Sequence, residues 1–78
     1  MTDIQLILTT AINSMVHYLM RDYQVTYSWA MRTVLASDTY QHLIESFSFR
    51  NESTLYVYQF LIRELQRKQI LIPQKEGE

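Results

Sequence analysis

Two histidines, His17 and His42, and eight carboxylates are the residues through which this chain could do acid–base or metal chemistry. Their spacing supports neither. A metal site needs three or four converging ligands, and helical pairs of them fall at H-x-x-x-H or E-x-x-H steps, which are absent. The carboxylates Asp3, Asp22, Asp38, Glu45, Glu52, Glu64, Glu76 and Glu78 are scattered, with no two spaced as a catalytic pair on one helical face. Asp3 and Asp38 suit helix starts, where the dipole favours negative charge. Glu64 and Lys68 make an i,i+4 pair in the favourable order. The absence of cysteine removes thiol catalysis, thiolate zinc sites and disulfides. The lone glycine, Gly77, leaves no phosphate-cradling loop. A serine nucleophile lacks its strand–elbow–helix setting. The expectation is a chain that is not an enzyme and has no cofactor or metal.

Arg63, Arg67, Lys68 and Lys75 are the candidates for phosphate contact. A net charge of −1 and a pI near 6.1 argue against a general nucleic-acid binder. A helix-turn-helix over 27–36 and 39–47 is conceivable by geometry, but its recognition segment contains no Arg or Lys. Cations in the last turns of a helix also complement its dipole. A small nucleic-acid-binding regulator using Arg63, Arg67 and Lys68 is therefore the alternative reading. A third, weaker one is a small-molecule pocket lined by Tyr18, Tyr27, Tyr40 and Tyr58.

The elements that carry these residues are helices. At 78 residues, 47 % hydrophobic and 19 % charged, with one Gly and one Pro, the chain has the composition of one globular domain with few breakers. A first helix is expected over 3–21, with Thr2 as N-cap and Gln5 completing a capping box. Ile4, Leu8, Ala11, Ile12, Met15 and Leu19 form its inner stripe. Residues 22–25 read as a connection, and Thr26 caps a helix over 27–36 with the stripe Tyr27, Met31, Val34 and Leu35. Asp38 is expected to cap a short third helix carrying Tyr40, Leu43, Ile44 and Phe47. The segment 48–53 is the most loop-like, with Phe49 tucked onto the core. Ser53 or Asn51 caps a last helix over 54–72, limited by Pro73. The fold class predicted is all-α, a compact single-domain bundle of about four helices, two long and two short. The domain covers 1–72 and a mobile polar tail covers 73–78.

The last helix carries more apolar residues than one face needs. Tyr58, Leu61, Ile62 and Leu65 are its core stripe, with Leu55 and Val57 at the edges. Tyr56 and Phe60 fall on another line with Arg63 and Arg67, the composition enriched at interface hot spots. Trp29, off the stripe of its own helix, is a further large apolar side chain in search of cover. Trp29, Tyr56, Phe60, Arg63 and Arg67 are the candidate interaction surface.

Val25-Thr26, Ala30-Met31, Ser37-Asp-Thr-Tyr40-Gln-His-Leu43 and Ser53-x-x-Tyr56-Val-Tyr58-x-x-Leu61-x-x-Glu64-Leu65 together resemble a family of small helical bacterial proteins of unknown function. Its pattern runs S-x-x-Y-x-x-L, then a T-G-L-Y turn, then Q-S-P-x-Y-V-Y-x-x-L-x-x-E-L, and spans about residues 16–65. Here Ser46-Phe-Ser-Phe-Arg50 replaces the threonine–glycine turn and Thr54 replaces the proline. The resemblance implies an all-helical fold and a bacterial origin, and no activity or catalytic residue.

The start Met1-Thr2-Asp3 is acidic where a secretory leader would be basic, and the apolar stretch 4–20 is broken by polar residues too often to span a membrane. A cytoplasmic protein-interaction module is expected, with a protein partner or a second copy, or as an accessory to the product of a neighbouring gene. Membrane contact is not.

Overall fold

Each helix start after the first is set by a hydroxyl. Thr26, Ser37, Ser46 and Ser53 all hold extended backbone and accept a hydrogen bond from the N–H three residues on, at Trp29, Tyr40, Phe49 and Tyr56, over 3.0–3.2 Å. The side-chain oxygen replaces one of the acceptors that a helix lacks at its first turn. The computed structural model describes residues 3–70, and these caps divide them into α1 (Asp3–Tyr23), α2 (Tyr27–Leu35), α3 (Asp38–Glu45), the single turn α4 (Phe47–Arg50) and α5 (Thr54–Arg67). No strand occurs among the described residues, so the all-α class holds.

Several boundaries differ from expectation for identifiable reasons. Ser37, not Asp38, caps α3; Asp38 is its first residue, and the smaller hydroxyl fits where the site is buried. Ser37 also donates to the carbonyl of Val34 at 2.7 Å, tying the end of α2 to the start of α3. Replacing it removes both bonds, so Ser37→Ala is expected to cost about 1–2 kcal/mol by chemical denaturation. The Thr2 cap lies outside the described residues. Where a loop was expected after residue 47, Ser46 opens α4, and this turn carries Phe49 into the core as anticipated.

α1 continues two residues beyond the expected end and stops at Gln24, whose φ of 57° is left-handed. α5 ends at Arg67, well short of residue 72. Gln69 takes φ 60°, its N–H reaches the carbonyl of Gln66, and the Ile70 N–H reaches back to that of Leu65. That pair of bonds is a Schellman closure, in which Ile70 returns toward Leu65. Ile72 lies outside the described residues, as does the expected tail.

α1 packs on α2 and α5, and α3 packs on α5 and α4. Met15, Val16, Leu19, Ala30, Val34, Leu43, Val57, Leu61 and Leu65 form the sealed centre. The expected stripes are corrected at their ends. Ile4, Tyr27, Leu35, Ile44, Phe47 and Leu55 are exposed. Val57, expected at an edge, is fully inside.

Candidate functional site

α5 presents three different surfaces, and each holds a part of the residues singled out by sequence. On the side facing α4, four rings stand in series. His42 lies 4.5 Å from Phe49, Phe49 lies 5.3 Å from Phe60, and Phe60 lies 5.1 Å from Tyr56. The last two contacts are edge-to-face, the arrangement that aligns positive ring edges with negative ring faces. Phe49 is buried, while Tyr56 and Phe60 keep 44 and 37 % of their surface in water. Helical spacing of four residues brings Tyr56 and Phe60 together, and Ser46 supplies the turn that delivers Phe49 beneath them. The Arg63 guanidinium sits 5.7 Å over the Phe60 ring. Arg67 joins Phe60, Phe49 and His42 around a cleft of about 190 Å³.

Trp29 does not join this strip. It packs partly onto the core and lines a separate groove of about 300 Å³ with Arg32, Leu65, Lys68 and Ile70. Four of the five candidate residues therefore converge, and the fifth belongs to another face. The four tyrosines weighed as a pocket lining are placed differently. Tyr18 and Tyr58 pack ring against ring at 5.0 Å, and Tyr27 opens α2 in solvent.

Between the two faces lies a residue that sequence reading treated only as half of a surface pair. Glu64 is 3 % exposed. Its Oε2 accepts from the Asp38 N–H at 2.7 Å, and its Oε1 accepts from the Thr39 N–H at 2.8 Å and the Thr39 hydroxyl at 2.7 Å. Lys68 donates to Oε2 at 2.7 Å and also reaches Asp38 at 3.0 Å. Glu64 of α5 thus satisfies the free N–H groups that open α3, a helix-start role filled from another helix. Burial alone would raise its pKa, but the bonds from Lys68, Asp38 and Thr39 outweigh that and hold the carboxyl below its ordinary range. Lys68 is in turn held above the usual lysine range, first by its bond to Glu64 and then by that to Asp38. Lys68, the third cation of the alternative nucleic-acid reading, is thus engaged with Glu64 and Asp38. The signal available in sequence was the Glu64–Lys68 spacing; nothing local pointed to Thr39.

A second cross-helix bond runs from the Tyr58 hydroxyl to Asp22 at 2.9 Å. Burial, and then the neighbouring carboxylate, push the Tyr58 hydroxyl well above the usual phenol range. Asp22 is held low, chiefly by its bond from Arg21 at 2.7 Å. His17 is exposed on α1, and among the described residues no three His, Cys, Asp or Glu side chains converge where a metal ion could be held. Among the same residues no helix is long and apolar enough to cross a membrane.

These features define a small all-α domain with a built aromatic–arginine strip on one helix. Comparison with known proteins adds no relative: no family model, curated protein or solved structure matches the chain.

Proposed function

We propose that this chain is a non-enzymatic protein-interaction module whose contact surface is the strip formed by Tyr56, Phe60, Arg63 and Arg67 along α5. The observation that carries this reading is the order of the two outer rings. Each is held edge-on by a neighbouring ring yet leaves a large part of its area in water. A preordered aromatic surface loses little side-chain entropy when covered, and aromatic and arginine side chains dominate interface energetics. Arg63, stacked on Phe60, offers its planar edge to a carboxylate at the rim. The partner that fits is a protein with an apolar patch and acidic groups at the side that meets Arg63 and Arg67. The titratable residues with the densest bonding, Glu64, Asp22 and Tyr58, are engaged in joining helices, which favours a binding role over a catalytic one.

The test compares the wild-type chain with Tyr56→Ala/Phe60→Ala in capture of protein partners, followed by titration of whatever binds. A partner should lose about 30-fold or more in affinity, two such rings accounting for at least ~2 kcal/mol, while the helical circular dichroism is unchanged. Equal binding by both chains removes the strip from the interface. Unfolding of the double variant would make the rings core residues and end the proposal.

A further inference from the structure

The apolar stripe of α1 outruns the bundle. Ile4, Ile7, Leu8, Ala11, Met15 and Leu19 recur at helical steps along one face. From Ala11 onward that face is buried, but Ile4 and Ile7 keep 49 and 39 % of their surface in water, and Leu6, off the stripe but beside Ile7 at the hollow, keeps 55 %. Length explains the overhang. The 21 residues of α1 span about 31 Å, against about 13 Å for the 9 of α2 and about 21 Å for the 14 of α5. Beneath the overhang is a hollow of about 270 Å³ lined by Leu6, Ile7, Leu43, Arg50 and Val57. Arg50 closes α3 there, donating to the carbonyls of Leu43 and Ile44, and lies 5.9 Å over the ring of Phe47, which is mostly in solvent.

We infer that a second copy of this chain covers this end, the two α1 overhangs lying antiparallel about a two-fold axis with each ridge over the other's hollow. Ridge and hollow share one end of the molecule, as a self-complementary two-fold contact requires. Charge points the same way. Between Asp3 and Arg21 the chain carries no Asp, Glu, Lys or Arg. A surface that meets its own copy meets its own charges; the ridge has none to repel, and the two in the hollow, Arg50 and Glu52, are of opposite sign. Along the ridge a charged partner or an anionic membrane would find no countercharge. Area agrees as well. At roughly 100 Å² left in water for each half-exposed side chain, Ile4, Leu6, Ile7, Ile44 and Phe47 offer about 500 Å² per copy. Thr10 and Glu52, exposed at the rim of the hollow, add to this, toward the ~800 Å² per partner of a stable interface. The hollow shares no lining residue with the Phe60 cleft, so this contact stands independently of the proposed strip.

Light scattering coupled to size exclusion, with sedimentation from low micromolar to millimolar, tests the inference. The wild-type chain should reach twice its 9.4 kDa. Leu6→Glu, and separately Phe47→Ser, should weaken association about 100-fold or more while keeping the helical spectrum, because both side chains are exposed. A wild-type monomer at every concentration overturns the inference. A dimer indifferent to both variants but dispersed by Tyr56→Ala/Phe60→Ala also overturns it, placing the second copy on the aromatic strip. A monomer that binds neutral phosphatidylcholine vesicles overturns it in favour of a lipid surface.

Discussion

Glu64→Gln should lower stability by about 2–4 kcal/mol, although it preserves the shape of the side chain. Four donors converge on two carboxylate oxygens: the N–H groups of Asp38 and Thr39, the Thr39 hydroxyl and the Lys68 ammonium. A glutamine offers one oxygen and one NH₂ group, so however it is turned at least one donor faces another donor. The site is nearly sealed from water, which cannot substitute. For a domain of this size, with total stability on the order of 4–12 kcal/mol, the loss is a large fraction. At about 4–8 °C per kcal/mol, the melting temperature should fall by at least about 8 °C. Lys68→Ala, at a position one-third exposed, should cost under ~1 kcal/mol.

The same carboxylate sets an acid limit. Its folded pKa lies below the ordinary 4.5, so the unfolded chain takes up a proton first as pH falls. The contribution is complete at neutral pH, begins to fade near pH 4.5, and is lost as pH drops through the lower folded value. Thermal melts of the wild type and Glu64→Gln should therefore converge as pH falls from 4.5 through that lower folded value. Parallel curves across that range, or equal melting temperatures at pH 7, would mean that Glu64 does not hold α3 onto α5.

Leu61→Ala is the second large effect, expected at about 2–5 kcal/mol in urea or guanidinium unfolding. Leu61 is fully inside, on the helix that packs against both α1 and α3. Truncation removes three carbons and leaves a cavity between elements that cannot close without breaking the Glu64 and Tyr58 bonds on either side. Leu55→Ala, the same change six residues earlier on the same helix, should cost under ~0.5 kcal/mol because Leu55 is already half in solvent. A mutant pair with similar losses would contradict the placement of α5. The contrast is informative because both leucines fall within the range expected to face inward by sequence.

What the chain determined by itself is local. Helical periodicity, the scarcity of Gly and Pro, and hydroxyls before apolar runs specify an all-α domain with caps at Thr26 and Ser53, because capping and amphipathicity depend on residues within four of each other. The clustering of Tyr56, Phe60, Arg63 and Arg67 was legible for the same reason: they share one helix face. The end of α5 was not, since nothing but a left-handed Gln69 stops it, and glutamine carries no such signal in sequence. Tertiary structure alone decided how long each stripe stays covered, as Ile4 shows, since coverage there depends on the length of the helices packed against α1. It also decided that Trp29 stands apart from the strip. Above all it turned Glu64 from one half of a surface pair into the buried acceptor for Asp38 and Thr39. Those donors lie some 25 residues away in sequence, and only the packing of α3 on α5 brings them within reach.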